Sequence, residues 1–136
     1  MSSYLGIDIE DFVRDGVHTL SLSGELDLAA VPSLEAQVRR VCAQASTRGI
    51  TLDLGGLCFI DSTGLAAIVL VSRLCAKYGF SFELIPGPRA VQRLFESTGL
   101  IDALPFRAAP GSGDDQASGD GQARGDELAS GNELVS

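Results

Sequence analysis

The sequence has no tryptophan, a single methionine and a single histidine in 136 residues. A centre built from several histidines is therefore excluded, and Ser-His-Asp chemistry would have to run through His18 alone. Basic residues are scarce too, 10 against 18 acidic, for a formal net charge of −8. A protein that grips nucleic acid needs a basic surface to displace counterions from phosphate. This chain is thus expected to bind neither nucleic acid nor an anionic membrane. Long apolar runs are missing as well. The longest covers residues 65–71, far short of the roughly 20 that a membrane span requires. The three cysteines, Cys42, Cys58 and Cys75, are odd in number and show no C-x-x-C spacing, which argues against a zinc site. Each lies in an apolar or periodic segment, where a free thiol behaves as a small hydrophobe. No metal or other cofactor is expected. The first residues, Met1-Ser2-Ser3-Tyr4-Leu5, have neither a charged n-region nor an apolar h-region. A cytoplasmic protein with reduced thiols is the natural expectation.

What is present divides into two parts. With 45% apolar residues, the chain can build an ordinary core for a domain of about 100 residues. From about Ala108 the composition turns to Gly, Ser, Asp, Ala and Gln without any aromatic residue. Such a stretch cannot bury enough apolar surface to offset its ordering entropy. Residues 1–106 are expected to fold and residues 107–136 to form a disordered acidic tail, in which Leu128, Leu134 and Val135 are the only sizeable apolar side chains. The charge splits evenly. Residues 1–106 hold 12 acidic and 8 basic residues, a net −4, and residues 107–136 hold 6 and 2, the other −4.

Within the first part, strand and helix patterns alternate. Leu5, Ile7 and Ile9 repeat every second residue over residues 4–13, as in a half-buried strand. Asp15-Gly16 is a hairpin turn signal, and Val17, Leu20 and Leu22 lead a second strand to Ser23-Gly24. Pro32 suits the first turn of a helix whose stripe is Val31, Leu34, Val38, Val41 and Ala45, closed by Gly49. A short strand is predicted at residues 50–54, a helix at 63–78 stopped by Gly79, and a strand at 80–85. Ala90, Val91, Leu94 and Phe95 mark a last helix stopped by Gly99. This order predicts an α/β domain with a mixed, mostly parallel sheet of four to five strands, helices packed on it and an N-terminal hairpin.

The most informative segment is Asp53-Leu54-Gly55-Gly56-Leu57-Cys58-Phe59-Ile60-Asp61-Ser62-Thr63-Gly64-Leu65. A strand ends, a short apolar loop follows, and Asp61-Ser62-Thr63 opens a helix. All three are good N-cap residues, because their oxygens accept orphan N–H groups of the first turn. Ser62 is thus either a cap or a modification site. A phosphate there would add about −1.5 to −2 charges at a helix N-terminus that tolerates anions. Beside Asp61 it would repel an acidic or apolar partner, changing binding without refolding the domain.

These residues resemble the signature of the STAS domain of bacterial anti-sigma factor antagonists. Leu22-Ser23-Gly24-Glu25-Leu26-Asp27 is similar to that family's segment before the first helix. The strand at 80–85 and the run from Ala90 to Leu100 also fit, so the resemblance covers residues 4–105 in order. It implies a partner switch rather than an enzyme. The unphosphorylated form would bind an anti-sigma factor that is also a GHKL-type Ser/Thr kinase, freeing a sigma factor. Phosphorylation at Ser62, with Thr63 as the alternative acceptor, would block that binding, and a PP2C-type phosphatase would reverse it. Glu25 and Asp27 would lie near the same surface, although a strand end before a helix also suits them as turn and cap residues. An alternative role is a STAS binding subunit of another assembly, a lipid-transport complex or a stress-sensing scaffold.

The helix at 63–78 carries two apolar stripes, Leu65, Ile68, Val69, Ser72 and Cys75, and Ala67, Leu70, Val71, Leu74 and Tyr78. A sheet covers only one stripe, so the other meets either a neighbouring helix or a partner. The expected partner-binding set joins Glu25 and Asp27, which the resemblance implies, and Asp61, Thr63 and Gly64 of the motif, to Ala67, Val71 and Leu74 of the second stripe. Arg39, Arg40, Arg73, Lys77, Arg89 and Arg93 are explained by solvated helix faces. Enzyme signatures fail: there is no G-x-x-x-x-G-K-[ST] or G-x-G-x-x-G pattern, and Ser62 lacks the context of a nucleophile elbow. His18, between Val17 and Thr19, is read as an exposed or half-buried strand residue.

Overall fold

In the computed structural model, residues 3, 4 and 6–107 are described, with side chains from Gly6 onward. The expected tail falls almost wholly outside them. The elements are β1 (Ser3–Tyr4), β2 (Ile7–Arg14), β3 (Val17–Leu26), α1 (Val31–Cys42), β4 (Gly49–Ile60), α2 (Ser62–Tyr78), β5 (Ser81–Ile85), α3 (Arg89–Ser97) and α4 (Leu100–Ala103).

The five strands lie side by side in chain order. β1–β2 and β2–β3 are antiparallel, and β3–β4 and β4–β5 are parallel. The sheet is mixed, as expected, but evenly divided between the two kinds of pairing. Asp15 and Gly16, with φ of 53° and 80°, form the two-residue turn predicted between β2 and β3. Right-handed crossovers that step in one direction along the sheet place α1 and α2 on the same face. Alternation then sorts the strand residues. Leu20, Leu22, Ile50, Leu52, Leu54 and Leu84 face the helices and are buried with Leu34, Val38, Ile68, Val91 and Phe95. Glu10, Phe12, Thr19, Ser21, Asp53 and Glu83 fall in register on the opposite face. Residues 105–107 run beside β5, where the Leu84 N–H donates to Pro105 O and the Arg107 N–H to Leu84 O.

Three expectations need correction. β4 is much longer than the strand predicted at 50–54. Beyond Gly55-Gly56 the chain continues to pair with β3, Leu57 with Gly24, Phe59 with Glu25 and Ile60 with Leu26, after register shifts. The expected loop is therefore strand, and β3 extends to Leu26 to match it. α1 stops at Cys42 rather than Gly49, and Ala45 lies exposed beyond it. The Thr47 hydroxyl donates to Val41 O at 2.6 Å, satisfying a terminal carbonyl and turning the chain early. His18 is buried, 2% exposed, because it shares the face of Leu20 and Leu22. Its Nδ1 pairs with the Asp11 carboxylate at 2.9 Å and its Nε2 lies 3.4 Å from Thr47 Oγ1.

Candidate functional site

The parallel strands β3 and β4 end together at Leu26 and Ile60, and open α/β sheets concentrate binding residues at such carboxyl ends. Asp61 follows directly as the N-cap of α2. Its Oδ1 accepts the Gly64 N–H at 2.9 Å and the Thr63 hydroxyl at 2.6 Å. The Thr63 hydroxyl, followed by the Gly64 N–H, holds the Asp61 carboxyl below the usual carboxylate range. Its backbone N–H donates to Leu26 O, which ties the first turn to the end of β3. Gly64 permits this closeness. A Cβ at that position would sit 2.2 Å from Leu26 O and within 3.0 Å of Leu26 and Ile60 side-chain atoms.

Asp61 thus caps, Thr63 is tied to the cap, and Ser62 stands exposed as the first residue of α2. Asp27 also serves structure. Its Oδ1 and its carbonyl both accept the Ala30 N–H, ordering the approach to α1. Glu25 is exposed and pairs in register with Phe59, two residues before Asp61. The structure therefore brings Glu25, Asp27, Asp61, Ser62, Thr63 and Gly64 to one end of the sheet.

The partner-facing residues predicted on α2 are corrected. Ala67 and Val71 are 5% and 3% exposed, and Leu74 is half-buried and packed against the core. α2 touches α1, β4 and β5 at once, so its buried arc takes in the first predicted stripe together with Ala67, Val71 and Leu74 of the second, and leaves Leu70 and Tyr78 exposed. The outward line is Ser62, Ala66, Leu70, Arg73 and Lys77, with Leu70 46% exposed. Two further apolar side chains flank the cap, Leu28 at 70% and Phe59 at 48% exposure. Sequence patterning missed them because Leu28 sits in an irregular connection and Phe59 in the presumed loop. Phe59 lines a shallow groove of about 380 Å³ with Cys58, Ala90, Arg93 and Leu94.

Catalytic groups do not converge here. His18 lies at the opposite end of β3, eight residues from Leu26, or about 26 Å at 3.3 Å per residue. The thiols differ in setting: Cys58 is exposed, contrary to expectation, Cys42 is half-buried, and burial, with a smaller effect from the neighbouring Cys42, pushes the Cys75 thiol up to about 12. Among the described residues no cluster of potential metal ligands occurs, and no helix is long and apolar enough to cross a membrane.

The match to known proteins follows the same residues. A family model described as the STAS domain matches residues 8–112. An anti-sigma-B factor antagonist of Staphylococcus aureus is 31% identical over 100 residues, covering 74% of this chain and 92% of its own. A crystal structure of an anti-sigma factor antagonist from Mycobacterium paratuberculosis superposes with a TM-score of 0.68 at 28% identity, covering 84% of this chain and 94% of that one. The anti-sigma factor antagonist SpoIIAA in its unphosphorylated form shares the fold, with a TM-score of 0.62 at 22% identity, covering 75% of this chain and 88% of that one. The matched span contains the Asp-Ser-Thr-Gly-Leu cap, the strand ends that hold it and most of the mixed sheet beneath, and the chain belongs to the STAS domain family.

Proposed function

We propose that this protein is an anti-sigma factor antagonist that works in the cytoplasm by partner switching. The unphosphorylated domain binds an anti-sigma factor that is also a GHKL-type Ser/Thr kinase, and a sigma factor is released. Phosphorylation of Ser62 ends that binding, and a PP2C-type phosphatase restores it. The observation that carries this reading is the division of roles at the start of α2. Asp61 holds the cap and Thr63 donates to it, which leaves the exposed Ser62 as the hydroxyl with no structural duty in the cap. That division favours Ser62 over Thr63 as the acceptor, since modifying Thr63 removes its donation to Asp61.

The electrostatics support a binding switch rather than a folding switch. A phosphate adds about −1.5 to −2 charges beside a carboxylate that is already ionised. The helix N-terminus accommodates the anion, so the fold survives. A partner that covers Ser62 together with Leu28 and Leu70 would have to desolvate the new charge, which costs several kcal/mol unless it is paired. Glu25, Asp27, Asp61 and Thr63 form the polar part of this contact, while Gly64, buried with its N–H on Asp61, holds the first turn of α2 against β3.

The test is incubation with ATP and the candidate kinase, followed by mass spectrometry of the Ser62 peptide and by pull-down. Ser62→Ala should bind the kinase persistently and Ser62→Asp weakly. Modification elsewhere, or equal binding by both variants, overturns the mechanism. Capture of a transport ATPase in place of the kinase would indicate a binding subunit of another assembly.

A further inference from the structure

The outer edge of β2 is a strand template with a self-complementary sequence. β1 covers only Ile7 and Asp8, so residues 9–14, Ile-Glu-Asp-Phe-Val-Arg, have no neighbour on that side among the described residues. Phe12 and Val13 are each 58% exposed there, an unusual pair of bare apolar side chains on an open edge.

The backbone parity of this edge follows from the hairpin. Arg14 and Val17 close the two-residue turn, and the closing pair of such a turn is hydrogen-bonded. The pattern alternates from there. Glu10, Phe12 and Arg14 direct their N–H and C=O toward β3, while Ile9, Asp11 and Val13 direct theirs outward. Ile7, of the same parity, is the residue that pairs outward with Tyr4.

An antiparallel copy of β2 must therefore pair odd residues with odd residues. Centring the two-fold axis on Phe12 sets Asp11 against Val13 in two hydrogen-bonded pairs and Phe12 against Phe12 in the close, non-hydrogen-bonded position. It also sets Glu10 of each chain opposite Arg14 of the other, on the same face as Phe12. The neighbouring allowed registers are worse. Centring on Asp11 opposes two aspartates, and centring on Val13 sets Asp11 against Asp15. Only the Phe12-centred register pairs opposite charges without opposing like ones.

The geometry points to a second copy of this chain as the occupant, giving a two-fold dimer whose sheet runs continuously through β2–β2 and pairs Glu10 with Arg14 twice. This inference does not depend on the switch proposed above.

Sedimentation velocity on the full chain, over micromolar to near-millimolar concentrations, should show a concentration-dependent dimer. Glu10→Lys or Arg14→Glu alone turns two attractions into two repulsions and should weaken it roughly tenfold or more. The double variant E10K/R14E should restore it. Val13→Pro deletes an outward N–H, a change an edge strand tolerates, and should give a folded monomer. Phe12→Cys in a Cys58→Ser background should form an intermolecular disulfide on mild oxidation, because that cross-strand pair brings Cα atoms to about 4.5 Å. A chain monomeric throughout that also fails to cross-link overturns the proposal. So does a dimer that E10K and V13P leave unchanged, a double variant no tighter than the singles, or a dimer that appears only when residues 108–136 are removed.

Discussion

Replacing Gly64 with alanine sets two effects of opposite sign against each other, and the structure decides between them. In an exposed helix interior, glycine to alanine stabilises by up to about 1 kcal/mol through lower backbone entropy in the unfolded chain. At position 64 the added Cβ would meet Leu26 O at 2.2 Å, Leu26 Cγ at 2.9 Å and Ile60 Cγ1 at 3.0 Å. The carbonyl cannot swing away freely, because it accepts the Asp61 N–H at 3.3 Å. Reaching ordinary contact needs a shift of about 1 Å between the start of α2 and the end of β3, and overpacking of that kind costs about 1–3 kcal/mol. An overlap as close as 2.2 Å puts the cost in the upper half of that range, so after a propensity gain of about 1 kcal/mol the net expectation is destabilisation by about 1–2 kcal/mol. At about 5 °C per kcal/mol for a domain of roughly 100 residues, that lowers Tm by about 5–10 °C. Thermal unfolding by circular dichroism measures the shift, and urea titration checks that the slope m is unchanged. The same displacement moves Asp61 and Ser62, so kinase binding should fall too. A Gly64→Ala protein as stable as the parent, or more stable, would refute the close approach of α2 to β3.

Other expectations test separate parts of the molecule. His18→Ala removes a buried ring and its link to Asp11, and should cost about 2–4 kcal/mol in urea unfolding; a loss below about 0.5 kcal/mol would show that the contact is idle. Leu70→Asp should leave stability within about 1 kcal/mol of the parent while abolishing kinase capture, whereas Val71→Asp should fail to fold stably because its charge is buried without a partner. The reverse pattern would restore the originally predicted face of α2. Truncating Phe95, which packs edge-on against Phe106 with centroids 4.9 Å apart, should cost about 3–5 kcal/mol. Differential scanning calorimetry of Phe95→Ala checks this.

Much of the fold was legible because its signals are local. Asp15-Gly16 marked the hairpin, Gly79 and Gly99 marked helix ends, and period-2 and period-3.6 patterns separated strands from helices. The failures share one cause, contacts between residues distant in sequence. Gly55-Gly56 reads as a turn, yet pairing with β3 carries the strand on to Ile60. His18 looked half-exposed because Asp11 and Thr47, which enclose it, come from another strand and from the turn after α1. On α2 nearly every side is apolar, so periodicity could not say which arc the sheet and α1 would cover. Of the apolar members of the candidate site, Leu28 and Phe59 carry no motif and only exposure in the folded state singles them out, while Leu70 belonged to a predicted stripe whose exposed part the pattern could not mark. Of the polar members, Asp61, Ser62 and Thr63 were readable because N-cap chemistry is written into them, whereas Glu25 and Asp27 came only through the family resemblance.

That tripeptide nevertheless left open which residue caps, and the answer governs how the proposed switching would couple to stability. Had Ser62 been the cap, its phosphorylation would disturb a hydrogen bond worth about 1 kcal/mol to the helix, and every switching event would strain the fold. With Asp61 as the cap, modification and folding are separate. Ser62→Ala should therefore change stability by less than about 0.5 kcal/mol, while Asp61→Ala should be clearly destabilising, through loss of the acceptor for Gly64 and Thr63. Acid supplies a second test. The folded-state pKa of Asp61 is lowered, so its contribution is present above the unfolded value of about 3.9 and is lost as pH falls through the folded value. The stability gap between the parent and Asp61→Asn should then be constant from neutral pH down to about pH 5 and shrink below pH 4. A gap that widened in acid, or a Ser62→Ala loss as large as that of Asp61→Ala, would mean that Ser62 shares the cap and that the switch acts through the fold.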